Sequence, residues 1–236
     1  MFGVSSFCLH QLPLADALEK ISTITDRIEV MDEGLHYLES AELLRSYDHH
    51  FSIHAPSRGT NIASRLETIR RASVEVMSQC MKIAAEVGGG VVIHPGYYAW
   101  AEEREKSEQQ LVRSIGELKK ISEEYSVRFF IENMGNWEYF LLKTPEELPL
   151  IGDAPFALDV GHAHQMRQLD AFLMHPAAHY HLHDNAGKED SHWAVGDGTI
   201  DFSDVMNAVR KSGVEPIIEV ATYDGVVKSI ERLNAL

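Results

Sequence analysis

His179-Tyr-His-Leu-His-Asp-Asn-Ala-Gly-Lys-Glu-Asp-Ser-His-Trp-Ala-Val-Gly-Asp-Gly198 places four His and three Asp within twenty residues. Its first five residues alternate as a strand does, so His179, His181 and His183 share one face. A polar loop carrying Asp190 and His192 follows and closes on Gly196-Asp-Gly198, and an amphipathic segment then reads as a helix over 202–211. The stretch is therefore one strand-loop-helix unit. Imidazole and carboxylate side chains in such density are the ligand types of Zn²⁺ and related divalent ions.

The same unit recurs along the chain. Short apolar runs predict strands over 2–7, 27–31, 51–54, 91–94, 127–132, 156–159, 179–183 and 216–220. Longer amphipathic segments predict helices over 14–24, 40–47, 62–87, 101–125, from Thr144-Pro145 onward, 169–174, 202–211 and 224–236. Ser40 is placed to cap the second of these, and Gly88-Gly-Gly90 to end the third. Eight β-then-α units with buried-type strands predict an α/β fold, a parallel sheet closed into a TIM (β/α)8 barrel, as a single domain over 1–236. An open doubly wound sheet is the alternative, but no Gly-x-Gly-x-x-Gly turn follows an early strand.

Composition narrows the class. The 236 residues are 44% hydrophobic, which is ordinary for a globular protein. No apolar run is long enough to span a bilayer, and no basic region followed by an apolar core opens the chain, so neither a membrane partner nor a secretory signal is expected. Cys8 and Cys80 are far apart in apolar settings and read as core thiols, which suits the cytoplasm. The net charge of −15 argues against nonspecific nucleic-acid binding, which needs Lys and Arg for phosphate neutralisation.

In a barrel of this kind the chemistry sits where strands end and βα loops begin. Those positions read His54, His94, Glu132, Asp159, His181 and Glu219 in order, with His162, Asp190 and His192 just beyond. A single strand-end His or Glu is usually a loop-capping group. Six of eight strands ending this way is different, because crowded imidazoles and carboxylates need cations to satisfy them. A metal site in the barrel mouth follows.

With those residues in view, the chain resembles the xylose isomerase-like TIM-barrel superfamily, which covers sugar phosphate isomerases and epimerases together with endonuclease IV. The resemblance runs over essentially the whole chain. It rests on His54-Ala-Pro with Asn61-Ile-Ala-Ser, Val92-Ile-His-Pro-Gly96, Ile131-Glu-Asn133 and Leu158-Asp-Val-Gly-His162. His181-Leu-His-Asp184, Asp190-Ser-His192, Gly196-Asp-Gly198 and Ile218-Glu219 complete the set.

The resemblance implies two nested site models. In the isomerase branch one divalent ion, Mn²⁺, Mg²⁺ or Zn²⁺, is held by Glu132, Asp159, His181 and Glu219. In the endonuclease IV branch (AP endonuclease family 2) three Zn²⁺ ions occupy the mouth. His54, His94 and Glu132 would serve the first ion, the isomerase set the second, and His162, Asp190 and His192 the third. His183 shares the face of His181 and is an alternative to it as ligand.

The sequence favours the isomerase branch. Endonuclease IV-type enzymes carry an aromatic shortly after the third-strand His, whereas His54 is followed by Ala-Pro-Ser57-Arg58. Some ketose epimerases carry an Arg shortly after the seventh strand, and here Lys188 is the only nearby base. The expected chemistry is metal-dependent isomerisation or epimerisation of a small sugar or sugar phosphate through a stabilised ene-diolate. Glu132 and Glu219 are the expected acid/base pair, with His162 bonding a substrate oxygen. Trp137, Tyr97 and Trp193 would line the sugar pocket beside Lys188. The alternative is a zinc-dependent nuclease acting on abasic DNA, and an inactive metal-bearing binding protein is a third reading. His10, His36, His49, His50, His164 and His175 read as surface or loop residues, and Arg58, Arg65, Arg70 and Arg71 as a solvated helix face, with a modest phosphate-binding edge as the alternative.

Overall fold

In a computed structural model describing residues 2–236, eight strands close into one parallel barrel in sequence order. They are β1 (Gly3–Ser5), β2 (Arg27–Met31), β3 (His50–His54), β4 (Val91–Ile93), β5 (Phe129–Glu132), β6 (Phe156–Asp159), β7 (His179–Leu182) and β8 (Ile217–Ile218). The last pairs with the first, Val4 opposite Ile218, so no edge is left open. The helices are α1 (Leu14–Ile21), α2 (Glu67–Glu86), α3 (Arg104–Tyr125), α4 (Val160–Gln165), α5 (Leu169–Phe172), α6 (Phe202–Ser212) and α7 (Tyr223–Leu233). None is long and apolar enough to cross a membrane.

Period-two alternation sets what each strand offers to each side. Ile28 and Val30, Phe51 and Ile53, and Val91 and Ile93 pack outward into the apolar layer beneath the helices. The inward set, one step below the strand ends, is Glu29, Ser52, Val92, Phe130, Ala157, His179 and Ile217. Val92, Phe130 and Ala157 form a small apolar cluster of their own inside the barrel. The inward positions on β2 and β7 are ionisable, and they face each other beneath the mouth.

Several expected elements are shorter than read, for identifiable reasons. The segment from Pro145 is a 3₁₀ helix (Pro145–Ile151), because Pro149 removes a backbone donor inside it. Its start is fixed by a capping box between Thr144 and Glu147. Only a 3₁₀ turn, Leu44–Ser46, forms within 40–47, since a segment this short does not repay helix nucleation without an extended apolar face. The long second-layer helix starts at Glu67 rather than at Ile62. The five residues before it are held by Asn61, whose side chain bonds Ala63 N, Tyr97 N and Tyr97 O. Gly96 makes that latch possible at φ +89°, because a Cβ there would lie 2.4 Å from Asn61 Oδ1.

Two residues read as exposed are buried. His36 is 1% exposed, with Nδ1 on Ser6 Oγ (2.9 Å) and Nε2 on Leu12 O (3.1 Å). Arg70 is fully buried and joins α2 to α3 through Glu67, Glu117 and Ser114 Oγ. Burial of a fully hydrogen-bonded guanidinium is affordable where two carboxylates share its charge. Cys8 and Cys80 are buried free thiols, as read.

Candidate active site

The barrel register brings the strand-end residues to one level. Asp159 is the direct partner of His181, and Glu132 of Ala157. Four ligand-type atoms of Glu132, Asp159, His181 and Glu219 lie within 4.8 Å of one another, all on buried residues. His54, His94 and Glu132 make a second such group. Glu132 belongs to both, and its two oxygens divide the work. Oε1 accepts from His181 Nδ1 at 2.5 Å, while Oε2 stands 3.0 Å from His94 Nε2 and 3.4 Å from His54 Nε2.

A third group gathers His162, Asp190 and His192, as read, and adds His183. Asp190 Oδ2 is the hub, 3.2 Å from His162 Nε2 and 3.1 Å from His192 Nε2. The opposite ring nitrogens are fixed by backbone carbonyls, His162 Nδ1 on Asn133 O (3.0 Å) and His192 Nδ1 on Glu219 O (2.7 Å). Carbonyl anchors of this kind set the ring tautomer and leave Nε2 facing the group. His192 holds φ +44°, a strained conformation for a ring-bearing residue, and its carbonyl is pinned by Ala221 N at 2.9 Å. His183 thus stands with the third group rather than beside His181, while its ring reaches Asp159 of the central group. Its Nε2 lies 3.0 Å from Asp159 Oδ1, and its ring stacks on His192 with centroids 3.9 Å apart. Gly161 is required beneath it, because a Cβ would fall 2.0 Å from the His183 ring.

The sequence motifs now have physical causes. Asn133 latches β5 to β6 by accepting from Asp159 N and donating to Asp159 O. Asp159 caps α4 by accepting from His162 N at 2.6 Å, which ties two members of the site together. Asp184 is the anchor of the loop that carries Asp190 and His192. Its carboxylate accepts from the backbone of Asn185, Gly196, Gly198 and Ile200. Its signal in the sequence was Gly196-Asp-Gly198, where a Cβ on Gly198 would lie 2.2 Å from Asp184 Oδ1 and Gly196 turns the chain at φ +80°.

Charge is concentrated here, and among the described residues that line the cavity Arg58 is the one Lys or Arg. Burial opposes the charged form of His181, yet Glu219, Glu29 and Glu132 hold its imidazole well above the ordinary value. His54 and His192 are likewise raised against burial, each to about 9, by Glu132 and by Asp190 respectively. Glu132 resists the upward push of burial and lies well below the usual carboxylate range because of His181. His94 goes the other way, its imidazole pushed below the ordinary value by burial.

The groups open into a cavity of about 400 Å³ lined by His54, His94, Glu132, His162, Asp190, His192 and Glu219. Tyr97, Trp137, Phe140, Phe7, Met31 and Met134 form its apolar wall, with Arg58 and Ser57 at the rim. Tyr97 and Trp137 meet edge to face at 5.3 Å. Trp193 and Lys188, expected beside them, are exposed and are not among these lining residues. Sequence reading also missed Glu29, which reaches His181 from below at 2.6 Å.

A family model described as xylose isomerase-like TIM barrel matches residues 16–236. The chain belongs to that family. It is similar to the uncharacterized protein MJ1614 of Methanocaldococcus jannaschii, at 29% identity over 92% of each chain. Among solved structures it is similar to a D-tagatose 3-epimerase-like protein, at 30% identity and TM-score 0.90, over 99% of this chain and 96% of that one. It also shares its fold with the IOLI protein, a structure with a bound zinc atom, at 20% identity and TM-score 0.76, over 98% and 93% of the two chains.

Proposed function

We propose that this protein is a divalent-metal-dependent isomerase or epimerase of a small sugar or sugar phosphate. The observation that carries the reading is the buried group Glu132, Asp159, His181 and Glu219, of which Glu132 and Glu219 line an aromatic-walled cavity. The likeness to a D-tagatose 3-epimerase-like protein supports it.

The residues fit a cation on chemical grounds. Glu132 Oε2 is a buried oxygen without a hydrogen bond, although two imidazoles stand beside it. Three carboxylates and one imidazole make a hard, anionic donor set suited to Zn²⁺, Mn²⁺ or Mg²⁺. Glu132, Asp159, His181 and Glu219 would hold the ion. Bound there, an ion would supply Lewis-acid polarisation of a substrate carbonyl.

The chain's own residues do the rest. Glu132 and Glu219 are the proton-transfer pair, one taking the proton from the carbon beside the carbonyl and the other returning a proton for the new configuration. Ser5 Oγ donates to Glu219 Oε1 at 3.4 Å and steadies one of the two. His162, held by Asn133 O, presents Nε2 to a substrate oxygen or to Asp190. Tyr97, Trp137 and Phe140 pack the apolar face of a sugar ring or chain and exclude water from the ene-diolate.

The zinc-dependent nuclease acting on abasic DNA is the second reading, and the third group favours it. His54, His94 and Glu132 with His162, Asp190 and His192 give capacity for one to three ions in a single mouth. The experiment that separates the readings is chromatographic assay of ketoses, free and phosphorylated, with metal-supplemented protein. New epimer or isomer peaks, lost on chelation, are expected. Incision of an abasic duplex with no sugar converted would overturn the isomerase reading.

A further inference from the structure

We infer that Glu29 orients His181 and fixes Nδ1 as its ligand atom, which makes Glu29 a positioning residue of the metal centre. This rests on the metal-dependent reading above. Glu29 sits on β2, one inward step below the strand ends, and is fully buried. Its Oε1 lies 2.6 Å from His181 Nε2. Its Oε2 accepts from Ser52 Oγ at 2.8 Å and stands 2.9 Å from His179 Nε2. His179 is itself held by stacking on Phe130, with centroids 5.1 Å apart. The carboxylate is therefore clamped from β3 and β7 and has one oxygen to give to His181.

The two nitrogens of His181 face different surroundings. Nδ1 looks into the group of Glu132 (2.5 Å), Glu219 (3.6 Å) and Asp159 (3.9 Å). Nε2 looks at Glu29, its one hydrogen-bond partner among the described residues. A carboxylate acceptor requires the ring proton on Nε2, so the lone pair is on Nδ1 when a cation takes the place of its proton. An acceptor behind a ligating imidazole fixes ring direction and raises its basicity. No other member of the central group has such a support, because Glu132, Asp159 and Glu219 are themselves carboxylates.

Glu29, His179 and His181 also converge closely enough to be weighed as a metal group of their own. That group brings one carboxylate, against three in the central group, and none of its members lines the cavity that Glu132 and Glu219 open into. A cation there would also need His181 Nε2, the atom that already serves Glu29. The positioning role fits this donor set and the ligand role does not.

The test is Co²⁺ titration of the full chain, followed by its visible absorption and by competition with a chelator. Wild type, Glu29→Gln and Glu29→Ala are compared, with far-UV circular dichroism as the folding control. Glu29→Ala is expected to weaken Co²⁺ binding by about 10- to 100-fold and to alter the d–d bands. Glu29→Gln keeps an acceptor for Nε2–H and should recover part of the affinity, and it carries the test if the alanine variant does not fold. ¹⁵N shifts of the loaded protein should show the proton of His181 on Nε2. Unchanged affinity and bands in a folded variant would overturn the inference while leaving the metal centre standing. Loss of one whole equivalent with the remainder unaffected would also overturn it, by making Glu29 a ligand. Wild type that binds no Co²⁺ would instead sink the metal-dependent reading itself, and the inference with it.

Discussion

Glu132 and His181 share a 2.5 Å contact from Oε1 to Nδ1, and the other oxygen of the same carboxylate is turned away toward His94. One side chain thus joins two ligand groups that sequence spacing alone would treat as separate. Glu132→Gln removes the anion common to both. Its metal Kd is expected to rise by more than about tenfold, the equivalent of ~1.4 kcal/mol per decade. Asp159→Asn removes an anion from the central ligand group alone, although Asp159 also contacts His162 and His183 of the third, and should have the smaller effect on total metal content. Elemental analysis after dialysis against a weak chelator checks the order.

The third group stands apart around Asp190, and its anchoring to Glu219 is through the backbone carbonyl of that residue. If it holds its own ion, His192→Ala should remove about one equivalent of metal and spare the rest. An unchanged metal-to-protein ratio would count against a third ion.

Asp184 supports that loop with four backbone hydrogen bonds to a fully buried carboxylate. Asp184→Ala leaves those N–H donors unmet and is expected to lower unfolding free energy by about 3 kcal/mol. Denaturant titration measures this. Metal in the Asp190 group should fall with it, because the loop's register depends on Asp184.

How much of this was legible from sequence depended on where a side chain's partner sits. The eight strands and their ends were readable because apolar runs alternate with amphipathic ones, and His54, His94, Glu132, Asp159, His181 and Glu219 occupy those ends. Glu29 was not, because Arg27-Ile-Glu-Val-Met31 carries polar residues at alternate positions and strand periodicity does not say which face is inward. His183 was placed on the correct face, but whether it serves the central group or the third depends on Gly161 yielding space for its ring. Arg70 looked like one more helix-surface cation, since its two carboxylates come from one residue nearby and one on the next helix.

Acid sensitivity of the α2–α3 contact has a definite sign. Glu67 is lowered to about 2 from 4.5, chiefly by its hydrogen bond to Arg70. A depressed carboxylate stabilises the fold above its unfolded value, near pH 4.5, and the contribution is lost as pH falls toward 2. Melting curves of wild type and Glu67→Gln should therefore differ at pH 6 and converge as pH drops toward 2. A gap that widens on acidification would contradict this.

The most direct test of the central claim is proton exchange at carbon. Metal-loaded protein is incubated in D₂O with small ketoses and their phosphates, and deuterium beside the carbonyl is followed by NMR. The account expects exchange at one carbon of at least one substrate, abolished by chelation and slowed about 10²- to 10⁴-fold in a Glu219→Gln variant shown to retain metal. No exchange with any such sugar, together with incision of an abasic duplex that weakens as salt rises, would contradict it.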